Sequence, residues 1–154
     1  MIVENQYLNE LREIWKYNNQ NYILDSSNKL SLYSPDMLKM AYVENDIVLG
    51  FITVYEGQDF CKKEGFSIKI DDLPEKTIYV WEVITKKGFE NRGIATELFK
   101  YVINKFAGYT IYSCVEPENS ASIALHKKMG FTEFNRFEKY YDEKGLTKYI
   151  MLKR

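Results

Sequence analysis

The stretch that most narrows the fold covers residues 77–99, "TIYVWEVITKKGFENRGIATELF". Its first nine residues are apolar on both alternating faces, which suits an interior strand covered on each side. The chain then becomes small, polar and cationic. Over residues 93–106, Ile94, Leu98, Val102 and Phe106 step by four, which predicts a helix. The same order follows again: "YTIYSCV" reads as a second interior strand and "NSASIALHKKMG" as a helix closed by Gly130. Strand, helix, strand, helix implies a parallel pair with a right-handed crossover.

The remaining segments arrange themselves around this centre. "YLNELREIWKY" spaces Leu8, Leu11, Ile14 and Trp15 as an amphipathic helix, and polar "NNQN" and "DSSN" follow it. "SPDMLKM" has the form of a short helix opening, with Ser34 as cap and Pro35 at the first helical position. "MAYVEND" and "IVLGFITVYEG" read as an antiparallel hairpin about an Asn-Asp turn, and the tail reads as two more antiparallel strands about "DEKG". "QDFCKKEGFSIKIDDLPEK" carries no clear pattern. A chain of 154 residues fits one domain, residues 1–154, burying roughly 68–70% of its unfolded surface. With 9 Phe, 13 Tyr and 2 Trp it has core material enough to need neither disulfide nor metal.

Charge excludes some partners. Lys and Arg total 21 against 22 Asp and Glu, so no global field draws the protein to nucleic acid or to an anionic membrane. Cys61 and Cys114 fit a reducing compartment better than a disulfide framework. The acidic start "MIVENQYLNEL" lacks an apolar signal core, and "IVLGFITVY" is too short to span a membrane. The expectation is a cytoplasmic protein.

Three groups of residues carry chemistry. At Asn91, Arg92, Gly93, Ile94, Ala95 and Thr96 a buried strand gives way to a helix start, whose unpaired amides and small residues suit an anion. An ordinary strand-to-helix turn with Arg92 in solvent has the same spacing. Glu82 shares a strand face with Ile78, Val80 and Ile84; it is either a partly desolvated base or the structural partner of a Lys or Arg. Asn119, Ser122 and His126 fall on one polar helix stripe, with Ala121, Leu125 and Met129 packing elsewhere, and that stripe is either functional or merely solvated. One histidine and two distant cysteines give no metal-ligand spacing.

In this order the three groups resemble the GNAT superfamily of acetyl-CoA-dependent N-acetyltransferases. Glu90, Gly93 and Ala95 occupy the family's pattern of Arg or Gln, two residues, Gly, one residue, Gly or Ala; "NSASIALHKKMGF" resembles its second motif. The resemblance implies an α/β fold with a mixed sheet, a splayed central parallel strand pair and flanking helices. It implies acetyl-CoA as co-substrate, with the pantetheine arm bonded to backbone near Ile84 and Thr85 and the pyrophosphate on amides of residues 91–96. It directs Asn119 to the arm, Lys128 to the phosphates and Ser122 to the cofactor. Glu82 takes the position of the general base, and His126 fills the slot where the family often has an acidic Tyr. Two positions depart from the pattern: Glu90, which must point away from phosphate, and Lys87, which stands where a proline is common.

The implied reaction is direct acetyl transfer to an amine of a small molecule, amino acid, peptide or protein. Transfer to a hydroxyl, a longer acyl group, a non-catalytic acetyl-CoA sensor and a nucleotide-binding domain are the competing readings. Monomer and homodimer both remain open. Acceptor choice falls to "NNQNYILDSS", "CKKEGFSIKIDDLP" and the tail strands.

Overall fold

A computed structural model describes residues 1–18, 34–64, 66, 68–141 and 145–154. The elements are β1 (Ile2–Glu4), α1 (Leu8–Asn18), β2 (Met37–Glu44), β3 (Ile47–Glu56), α2 (Phe60–Glu64), a 3-10 turn (Ile70–Asp72), β4 (Thr77–Thr85), α3 (Ile94–Lys105), β5 (Thr110–Val115), α4 (Ser120–Lys128), β6 (Thr132–Tyr141) and β7 (Gly145–Lys153). The strands form one mixed sheet in the order β1-β2-β3-β4-β5-β7-β6. Its parallel pair is β4 and β5, whose ladder joins Thr77 to Thr110 and ends with Val80 against Ser113. Beyond those residues β4 continues to Thr85 and β5 to Val115. The mixed sheet and the parallel centre agree with the sequence reading.

Contacts divide the chain into two compact units, Met1–Tyr55 with Trp81–Lys105, and Glu56–Val80 with Phe106–Arg154. In the first unit, α1 buries Leu11, Ile14 and Trp15 against Ala41, Val43, Val48 and Phe51 of the β2–β3 hairpin. Complete burial of a side chain such as Leu11 or Phe51 stabilises by roughly 1.5–3 kcal/mol. The hairpin turns at Asn45 (φ 49°) and Asp46 (φ 61°), the two-residue geometry whose twist matches the strands. β1 escaped the sequence reading because three residues carry no period; β2 supplies its order, with Ile2 opposite Tyr42 and Glu4 opposite Met40.

Ser34 and Pro35 do not open a helix; the Met37 N–H donates to Ser34 O at 3.3 Å and β2 begins at once. Pro35 fits the second position of a turn as well as a first helical position, and pairing with β3 decides between them. Lys39 folds back to finish the turn, its buried ammonium donating to Ser34 O (2.7 Å) and Met37 O (2.8 Å).

The second unit is packed by aromatic rings. Phe60 stacks on Tyr79 at 4.5 Å, and Phe66 meets Phe137 at 4.4 Å, which gives the unreadable segment after β3 its place. The Cys61 thiol beside these rings is pushed up to about 11 by burial, the behaviour of an inert core thiol. β6 and β7 pair antiparallel as expected, while residues 142–144 of the anticipated "DEKG" turn lie outside the described residues. The polar connectors assigned to residues 19–33 lie outside them too. Among the described residues no helix is long and apolar enough to cross a membrane.

Candidate functional site

After Thr85 the chain makes a tight turn before α3. Gly88 (φ 90°), Asn91 (φ 62°) and Gly93 (φ 79°) all adopt the left-handed conformation that glycine and asparagine tolerate best. A side chain added at Gly93 would meet nothing within 4 Å, so glycine is there for backbone shape, and the ground before it is open. The Glu97 N–H reaches back to Gly93 O at 3.0 Å. The amides ahead of it in the first turn therefore have no acceptor within the helix, which is the arrangement that receives an anion.

Charge around this turn is already ordered. Glu90 bends back so that its Oε2 accepts from the Gly88 N–H at 2.7 Å. Arg92 donates to Glu44 Oε2 at 2.9 Å and lies 5.4 Å from the Phe89 ring centre. That exposed ion pair is worth little by itself, but it fixes where the guanidinium stands.

Glu82, half-buried on β4, accepts at Oε2 from Trp15 Nε1 across 3.1 Å. The sequence reading missed this partner. Its signal was present, because an indole N–H buried on a core-facing stripe needs an acceptor. Nearby, Asn18 Nδ2 donates to Thr85 O at 2.9 Å. Ile84 O is approached so closely by β3 that a Cβ on Gly50 would stand 2.8 Å from it. Glu82, Ile84, Thr85 and residues 91–96 therefore all belong to the first unit. A cavity of about 730 Å³ in that unit is lined by Tyr17, Asp46, Ile47, Lys86 and Lys87 among others, and neither Glu82 nor residues 91–96 border it.

Asn119, Ser122, His126 and Lys128 belong to the second unit. Asn119 caps α4, its Oδ1 accepting from the Ser122 N–H at 3.1 Å. Asn119 and Lys128 are exposed and Ser122 is half-buried. The expected exposed stripe fails at its last member: His126 is 1% exposed and is the buried residue of the helix, whereas Ala121 is exposed and Leu125 and Met129 are half-buried. The cause is that both ring nitrogens find partners inside. Nδ1 lies 2.7 Å from Ser122 O and Nε2 lies 2.8 Å from Ser113 Oγ, while the ring meets Phe131 edge-on at 5.1 Å. Burial pushes the imidazole pKa below its ordinary value, and the Ser122 carbonyl opposes that in part.

Among the described residues no group of three or more His, Cys, Asp or Glu is placed to hold a metal ion. The arrangement can seat an anion on a helix start and present a fixed carboxylate on the adjoining strand.

Comparison with known proteins agrees with the geometry. The sequence pattern of the acetyltransferase (GNAT) family matches residues 5–131. No curated protein sequence matches the chain. Among solved structures, Arabidopsis thaliana NAA60 in complex with a bisubstrate analogue superposes with a TM-score of 0.74 at 19% identity, covering 100% of this chain and 97% of that one. The same plant protein in complex with acetyl-CoA gives 0.71 at 18% identity, covering 99% and 98%. The ribosomal-protein-S18-alanine N-acetyltransferase from Escherichia coli gives 0.70 at 16% identity, covering 99% and 92%. At these identities the likeness is one of fold.

Proposed function

This chain belongs to the acetyltransferase (GNAT) family, and from that premise we propose that it transfers the acetyl group of acetyl-CoA directly to a primary amine of a small molecule, an amino acid, a peptide or a protein. The observation that carries the reading is the start of α3. Gly88, Asn91 and Gly93 ahead of it are left-handed, the space at the two glycines is open, and the one acidic side chain in the turn is occupied by the Gly88 amide. A pyrophosphate presents several oxygens to such a surface, and each charge–helix-end contact is worth about 0.3–1 kcal/mol when exposed.

In this reading the amides of residues 91–96 receive the pyrophosphate, Arg92 adds positive charge, and the backbone of Ile84 and Thr85 bonds the pantetheine arm. Asn119 keeps its Nδ2 group for the same arm, since its Oδ1 caps the helix. Ser122 lines the arm and Lys128 serves the phosphates. Acetyl-CoA supplies an activated acyl carbon and a thiolate leaving group. A protonated amine cannot attack that carbon, so Glu82 accepts the amine proton, directly or through water. Trp15 fixes the carboxylate for that task without bringing a competing charge. A free thiol has a pKa near 8.5, so the thiolate leaves without strong assistance. The two unbridged cysteines fit a reducing, cytoplasmic setting.

Melting the protein with and without acetyl-CoA tests the reading. At one hundred times the dissociation constant, linkage gives about 2.7 kcal/mol, a rise of roughly 5–10 °C for a chain of this size. An equal rise with ATP would mark a general nucleotide site, and no rise with acetyl-CoA would end the proposal. Thiol release across a panel of amines then identifies the acceptor class.

A further inference from the structure

We propose that Ser113 and His126 are positioning residues that hold the capped first turn of α4 for the coenzyme, and that His126 keeps one proton, on Nδ1, without giving it to the departing thiolate. The inference deepens the acetyltransferase reading and rests on it for its kinetic arm.

Ser122 O is a carbonyl and only accepts, so at 2.7 Å it requires the proton on Nδ1. A neutral imidazole carries one N–H, so Nε2 is left as a lone pair. Ser113 Oγ, 2.8 Å away, must then be the donor. With the ring and Ser113 both buried, the neutral form is the one the surroundings favour.

The bonds make a continuous chain. Ser113 O–H donates to His126 Nε2, His126 Nδ1–H donates to Ser122 O, and the Ser122 N–H donates to Asn119 Oδ1. Its far end is the helix cap that the proposed function assigns to the coenzyme. Its near end is rigid, because Ser113 is paired on both sides of β5, with Val80 in the parallel ladder and with Leu152 in the antiparallel one. To act as an acid, His126 would need a second proton on Nε2. That would place a cation in the core and force the Ser113 hydroxyl to reverse.

The protein has a single histidine, so one pair of ring nitrogens reports on this chain without overlap. Long-range 1H–15N spectra of the native protein should show the Nδ1–H tautomer, free and with acetyl-CoA; an Nε2–H ring would overturn the inference. His126→Gln keeps a donor and an acceptor but no useful acid, so its kcat should stay within about twofold of the native value. Because the thiolate already leaves readily, a proton donor predicts a smaller but measurable loss of kcat, beyond about twofold and growing as pH rises, for that variant, with KM unchanged. Ser113→Ala cuts the chain at its fixed end, and the KM for acetyl-CoA should rise about tenfold with kcat held. If native protein failed to bind acetyl-CoA, the acetyltransferase reading would fall and take the coenzyme role with it. An Nε2–H ring in a protein that turns over normally would overturn this inference alone.

Discussion

Gly50→Ala would test how the sheet sets the start of α3. A Cβ built on Gly50 stands 2.8 Å from Ile84 O, 2.9 Å from Ile94 Cγ2 and 3.3 Å from Thr85 Cα, whereas ordinary contact begins near 3.4 Å. The nearest atom is a backbone oxygen that cannot rotate away, so β4 must retreat by about 0.6 Å, the difference between 3.4 and 2.8 Å. Ile94, 3% exposed, has little room to yield on the helix side. Forcing a methyl into such packing typically costs about 1–3 kcal/mol. At roughly 2–4 °C per kcal/mol for this size, the melting temperature should fall by roughly 2–12 °C. The displaced atoms belong to Ile84, Thr85 and Ile94, all assigned to the coenzyme. A misplacement approaching 1 Å can cost up to about a hundredfold in rate, so the KM for acetyl-CoA should rise and the ligand-induced gain in melting temperature should shrink. Paired melts of native and variant protein, with and without acetyl-CoA, read both effects. A variant that melts within about 1 °C of native and keeps the full ligand shift would refute the claim that this close approach positions the site.

Further outcomes follow from single residues. Glu82→Gln should reduce turnover by about 10²- to 10⁴-fold while acetyl-CoA still raises the melting temperature; undiminished turnover would take the base role from Glu82. Asn119→Ala removes the cap bond to the Ser122 N–H and should cost about 1 kcal/mol, or roughly 2–4 °C, and an unchanged melt would show the cap to be idle. His126 has a folded pKa below its ordinary 6.5 because of burial, so the unfolded chain takes up the proton first as pH falls. Its contribution is whole above pH 6.5 and is lost as pH drops from there through the folded value. Denaturant midpoints between pH 7.5 and 5.5 should therefore fall more steeply for native protein than for His126→Gln, and parallel slopes would contradict the burial argument.

Much of the fold was legible because its signals are local. The two-faced apolar run of β4, the four-residue steps of α3 and the Asn-Asp hairpin turn each depend on neighbours within one element. The same is true of the helix start after Arg92 and of the helix that opens at Asn119. Where two local readings were equally good, as at Ser34 and Pro35, the chain alone could not choose between them, and cross-strand pairing did.

Sequence by itself determined the order of elements, the parallel centre and the residue types available for chemistry, since periodicity and turn preference act over a few residues. Tertiary structure alone decided what each polar group would face. Trp15 meets Glu82, and Asn18 meets Thr85, across separations of 67 residues. Glu44 takes Arg92 from 48 residues away, and His126 turns from an expected surface stripe into the core, where Ser113 awaits its lone pair. A hydrogen bond requires two groups to arrive in register from distant segments, and no local pattern encodes that arrival; only the packed sheet and its helices bring it about.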